Sequence, residues 1–201
     1  GNHSNMLITF EGIDGCGKST QIHLLKQYLE DKGKHVQVYR EPGGAPIAEE
    51  IRTLLLDSKN EISAVSELLL FSAARAQLVE ERIIPDLENG SVVILDRFYD
   101  STTAYQGYGR SVLPLKEIVV LNKMASHGLI PNLTFYLRLP LHLASQRRSE
   151  RAQDRMEMAG NEFYTRVLEG YELMVKEHPR FIVLDGAQPI ESIALEIQQH
   201  L

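Results

Sequence analysis

The stretch FEGIDGCGKST, Phe10 to Thr20, places glycines and then a lysine and a hydroxyl directly after an apolar run. Gly12, Gly17, Lys18 and Ser19 satisfy the pattern G-x-x-x-x-G-K-[ST], here between a predicted strand and a predicted helix. Such a loop lets consecutive backbone N–H groups turn inward as an anion cradle at a helix start, where the helix dipole also favours negative charge. Lys18 would then reach the outer phosphates of a nucleoside triphosphate, and the Ser19 hydroxyl would bind Mg²⁺. Cys16 is small enough for a tight loop and reads as packing rather than as a nucleophile. Further along, ILDRF ends a buried run in Asp96, which can hold Mg²⁺ or its water shell, and Arg97, which can project a fixed cation into the same cleft. A structural ion pair or a helix cap is the alternative for both. Arg147, Arg151 and Arg155 recur every fourth residue and form one stripe if helical, with Arg148 turned away by about 100°. Glu150 and Asp154 make a solvated, salt-bridged face the other reading of that stripe.

These groups need a scaffold. Five β-rich runs, LITFEG, HVQVYR, SVVILD, LTFYLRL and RFIVLD, alternate with helical patterns, which predicts a three-layer α/β fold. Its centre would be a parallel sheet of about five strands with helices on both faces. Runs that are apolar almost throughout, such as Val92 to Leu95, suit strands covered on both sides. EPGGAP, Glu41 to Pro46, demands a shaped turn after the second strand, and SQRRSERAQDRMEMAG predicts a flap at about residues 145–160. At 201 residues, with no repeat or linker, residues 6–201 read as one domain, while GNHSN at 1–5 reads as the remnant of an expression tag. A net charge of -6 gives no general affinity for nucleic acid or anionic membrane, so any phosphate site must be local. One cysteine allows no internal disulfide, and no apolar run reaches the ~18 residues of a membrane span. A cytoplasmic protein follows as the expectation.

The set FEGIDGCGKST, REPGG, FSAARAQ, DRFYDSTTAYQGYGR, PNLTFYL and DRME resembles thymidylate kinases of the bacterial type, over nearly the whole chain. Asn132 stands where the family has an aspartate. The resemblance implies a P-loop NTPase fold, transfer of the γ-phosphoryl group of ATP to dTMP in dTTP synthesis, a Mg²⁺ requirement and a homodimer. It assigns Gly12, Ile13, Asp14, Gly15, Cys16, Gly17, Lys18, Ser19 and Thr20 to the donor, with Ser19 and Asp96 on the metal. Asp14 would contact the acceptor sugar, and Arg52 and Arg97 the acceptor phosphate. Glu41, Pro42, Ser101, Thr102 and Gln106 complete the acceptor site, where Tyr105 would crowd the 2' position. Phe71 and Arg75, four apart on one helix face, would stack on thymine and hydrogen-bond a base carbonyl. Without the family, Phe71 reads as core, Asp14 as a turn residue, Arg52 as a surface charge and Tyr105 as a packed ring. The family's turn also allows a cis Glu41–Pro42 bond. Gly15 and Cys16 stand where some members carry a catalytic arginine, so the pattern with flap arginines fits, with Arg155 and either Arg148 or Arg151 as carriers.

Two other readings stay open on the residues alone. One is a kinase for another nucleotide or a deoxynucleoside. The other is a GTP-driven switch, because LNKMA at Leu121–Ala125 has the outline of a guanine-reading N-K-x-D. Ala125 stands in place of the carboxylate that would pair with guanine.

Overall fold

A computed structural model describes residues 5–149 and 153–201 of the chain. The five predicted strands form one parallel sheet: β1 (Met6–Glu11), β2 (Val36–Arg40), β3 (Val92–Asp96), β4 (Leu133–Arg138) and β5 (Phe181–Asp185), in the order β2-β3-β1-β4-β5. Ile8, Phe10, Val93, Ile94, Leu95 and Phe135 are wholly buried, as helices on both faces require. The Phe10 and Phe135 rings lie 5.3 Å apart across β1 and β4.

The chain winds first to one side of β1 and later to the other, which opens a crevice at the carboxyl end of the central strand. Register aligns what faces that crevice, since Phe10 pairs with Asp96 and Asp96 in turn with Arg40. Around the sheet lie α1 (Lys18–Asp31), α2 (Pro46–Leu56), α3 (Ala64–Leu78), α4 (Ile84–Glu88), α5 (Tyr99–Thr102), α6 (Leu115–Ala125), α7 (Leu141–Ser149), α8 (Asn161–Glu177) and α9 (Ile190–Gln198). On α1 the buried face is Ile22, Leu25 and Leu29, at helical spacing. Pro46 pre-sets the first turn of α2, and the Ser63 hydroxyl caps α3 by accepting the Ser66 N–H.

Two helices widen into π-turns, at Val79–Ile83 and at Thr103–Gly109. The second carries Tyr105 and Gln106, in keeping with the tendency of such segments to sit at functional sites. No helix among the described residues is long and apolar enough to cross a membrane.

Candidate active site

Built from the loop upward, the site begins where β1 stops. Gly12 has φ 143, and a Cβ there would lie 2.9 Å from the Leu137 carbonyl oxygen and 2.8 Å from Cys16 Sγ. Gly17, at φ 97, closes the loop and opens α1 without any side-chain cap. The first N–H groups of α1 therefore face outward for an anion. Lys18 is buried, and its Nζ donates to the Gly12 carbonyl at 3.0 Å, folding back across the loop that it follows. Ile13 and Cys16 are buried beneath the loop, whereas Ser19 and Thr20 are exposed on α1. Arg147 of α7 donates to the Gly15 carbonyl oxygen, so a cation outside the loop approaches the position where the loop itself has none.

Two clefts flank this loop. One, of about 820 Å³, is walled by Gly15, Gly17, Lys18, Ser19, Arg40 and Asp96. The other, of about 560 Å³, is walled by Pro42, Leu56, Phe71, Arg75, Ser101, Thr102, Tyr105, Gln106, Asp154 and Met156. Asp14, Glu41, Arg52 and Arg97 line both and form the seam between them.

At the seam Arg97 adopts φ 75, uncommon for a residue with a side chain. Its Nη2 donates to Asp14 Oδ1 at 3.2 Å and its Nη1 to Ser101 Oγ at 3.1 Å, with the guanidinium 5.1 Å from the Tyr105 ring centre. Arg52 Nη1 donates to the Pro42 carbonyl at 2.8 Å, just after a cis Glu41–Pro42 bond. Arg75 is only 2% exposed. It donates to Glu41 at 2.7 Å, to Thr102 at 3.0 Å and to the Phe98 carbonyl at 3.4 Å. Burial pushes the Glu41 carboxyl above its ordinary range, against the pull of Arg75. Phe71 is half-buried, packing on the core with one part and lining the smaller cleft with another.

Other groups were not legible in advance. Asp154, Met156 and Leu56 come to the smaller cleft, and Arg40 to the larger. Glu67, wholly buried on α3, accepts from Gln106 at 3.0 Å and from Arg110 at 3.2 Å, and lies 2.6 Å from Arg155. The structure thus does not bring Arg155 into either cleft. It pairs with Glu67 and donates to the Leu55 and Ile62 carbonyls. The side chain of Arg148, and Arg151 as a whole, lie outside the described residues. Asn122 of the guanine-like stretch donates to Thr103 Oγ1 at 2.9 Å within the helical layer and lines neither cleft.

Glu11, fully buried at the end of β1, has its pKa raised to about 7, chiefly by burial and secondarily by the nearby charge of Asp100. The unfolded chain releases this proton near 4.5, so the folded chain holds an extra proton between the two values and stability falls as pH rises through that window. Below it both states are protonated and the penalty is absent; above it the penalty is complete, on the order of 3 kcal/mol. Urea unfolding at pH 5 and pH 8 should show this loss in the parent chain and a flatter dependence in Glu11→Gln. Equal slopes in the two proteins would refute it.

Similarity to known proteins agrees with this geometry. The sequence profile of the family described as Thymidylate kinase matches residues 10–197. A thymidylate kinase of Chlorobaculum parvum is 53% identical over 192 residues, covering 90% of this chain and 88% of that protein. One from Thermoanaerobacter sp. strain X514 is 46% identical over 191 residues, covering 94% of each. Among solved structures, the thymidylate kinase of Ehrlichia chaffeensis superposes with a TM-score of 0.79 at 37% identity, covering 97% of both chains. The profile spans all four residues of the seam, and the chain belongs to the thymidylate kinase family.

Proposed function

We propose that the two clefts hold donor and acceptor for one reaction, ATP + dTMP giving ADP + dTDP, as a step in dTTP synthesis. The observation that carries this reading is the seam: two adjoining clefts, one along the phosphate loop, share Asp14, Glu41, Arg52 and Arg97. The donor lies along the phosphate loop with its outer phosphates on Lys18. The acceptor sits in the smaller cleft with its base against Phe71 and Arg75 and its phosphate toward Arg52 and Arg97. A monophosphate is already an anionic nucleophile near neutral pH, because its second ionisation is near pKa ~6. An acceptor oxygen forms the new bond to the γ-phosphorus as the bond to the β–γ bridging oxygen breaks, and the bridging oxygen leaves on ADP. No general base is required. The protein's task is to align two repelling phosphates and neutralise the charge on the group in transit.

Ser19 and Asp96 offer hard oxygen ligands on the wall of one cleft, a donor set that fits Mg²⁺. Bound there, the ion would neutralise phosphate oxygens of the donor. A further cation is assigned to the flap at 145–160, carried by Arg148 or Arg151. Arg155, held by Glu67, instead anchors the segment that brings Asp154 and Met156 to the acceptor. Residues 6–201 are read as one catalytic domain. A homodimer belongs to the same reading. Exposed Leu54 on α2, Val65 and Leu69 on α3, and Val119, Val120 and Met124 on α6 support it, as these helices pack side by side. A cytoplasmic setting is supported by the use of ATP and by a free thiol at Cys16.

The acceptor assignment is tested by ADP formation with dTMP, dUMP, dCMP, AMP and thymidine, among which dTMP should give the highest kcat/KM. For Phe71→Ala, loss of base stacking worth about 1–3 kcal/mol should raise the KM for dTMP roughly tenfold. The KM for ATP should stay near the parent value. Equal losses for the two nucleotides would make Phe71 a core residue only.

A further inference from the structure

The carboxylate of Glu11 has no part in the scheme above, yet it lies wholly buried between the phosphate loop and the turn after β3. Its two oxygens have separate partners. Oε2 accepts the backbone N–H of Phe98 at 2.8 Å, while Oε1 accepts the hydroxyls of Ser101 at 2.6 Å and Tyr171 at 2.8 Å. Both sets converge on Arg97. The Phe98 amide is the first backbone group beyond Arg97, whose left-handed φ of 75 needs holding, and the Arg97 N–H itself donates to the Phe10 carbonyl at 2.9 Å. Ser101 Oγ in turn accepts from Arg97 Nη1 at 3.1 Å, leaving Nη2 for Asp14. The donors therefore run in one direction, from guanidinium to hydroxyl to carboxylate.

We propose that Glu11 is a positioning residue for phosphoryl transfer: its carboxylate aims the Arg97 guanidinium into the seam, through Ser101 on one oxygen and through the Phe98 amide on the other. The proposal rests on the thymidylate kinase reading, in which Arg97 meets the reacting phosphates. A carboxylate suits the place because it accepts on both oxygens and donates on neither when ionised. In Glu11→Gln the amide nitrogen must face either the Phe98 N–H, donor against donor, or the hydroxyls of Ser101 and Tyr171, which both donate to Oε1 and would have to turn their protons away from it. Asp100 cannot substitute, since it is occupied by Arg180 through two hydrogen bonds of 2.7 and 2.9 Å.

The test compares the parent chain, Glu11→Gln, Arg97→Ala and the double variant in ADP formation with ATP, dTMP and magnesium, with folding checked by thermal unfolding. Glu11→Gln should lower kcat about 10- to 100-fold, as outer partners of site residues commonly do. The KM for ATP should stay within about threefold, since uniform donor binding is untouched. In the Arg97→Ala background the same change should cost less than about threefold, because two residues acting through one group are not additive. An unchanged kcat, or losses that multiply in the double variant, would overturn the inference while leaving the kinase assignment intact. A parent chain that transfers nothing to dTMP would instead overturn that assignment and the inference with it. If Glu11→Gln does not fold, Ser101→Ala takes its place: it breaks the side-chain path and should show the same kcat loss and the same non-additivity with Arg97→Ala. Multiplying losses in that pair would overturn the proposal equally.

Discussion

Lys18→Ala should fold like the parent chain and lose about 10²–10³-fold of its turnover, the scale on which a preorganised donor to developing charge contributes, or ~3–4 kcal/mol. The geometry separates the two effects. Within the protein the ammonium makes a hydrogen bond to Gly12 O at 3.0 Å and a weaker one to Cys16 Sγ at 3.7 Å, so its removal takes little from the fold. It stands, however, at the start of α1 on the wall of the donor cleft, where a charge on the outer phosphates needs a counterpart. Steady-state kinetics with saturating dTMP, alongside a thermal unfolding curve, give both quantities. Near-normal turnover in a folded variant would remove the phosphate loop from the mechanism.

Arg75→Met should be the most destabilising of the changes considered, by about 3–5 kcal/mol at neutral pH, because it strands a buried carboxylate. Arg75 and Glu41 are 2% and 5% exposed, and the 2.7 Å bond between them is the pairing that offsets the burial of both. Without the arginine, the already raised pKa of Glu41 rises further. The folded state then takes up a proton that the unfolded state has released, so the deficit shrinks as pH falls toward the ordinary carboxylate range. Urea unfolding at pH 5 and pH 8 measures this, and Glu41→Gln added to Arg75→Met should recover part of the loss. A small, pH-independent change would mean that the pair contributes little to stability. Where the variant folds, the KM for dTMP should also rise, since the guanidinium lines the acceptor cleft.

Much of this was readable from the sequence, and the reason differs by feature. All five strands were legible because each is a short apolar run between helical patterns, and local pattern is what identifies a strand. The loop from Gly12 to Ser19 was legible because its chemistry sits in one contiguous stretch. Arg155 was not, because its partner Glu67 lies far away in the chain, and nothing local distinguishes an arginine that faces a cleft from one folded onto a buried carboxylate. Glu11 hid for a similar reason: a charged residue ending a strand reads as exposed until Ser101, Tyr171 and the Phe98 amide surround it. The π-turn at Thr103–Gly109 had no signal, although it orients Tyr105 and Gln106.

The strand order has a consequence for biosynthesis. A nascent chain that has not yet reached Leu133 can pair β1 with β3 and β3 with β2, but the opposite edge of β1, from Ile8 to Glu11, must wait for a partner made more than a hundred residues later. Throughout that interval the emerging polypeptide offers an unsaturated, apolar strand to its neighbours on the polysome, the kind of surface that promotes association and recruits chaperones. Slower translation of the segment before Leu133 should therefore lengthen the time for which that edge stays unpaired.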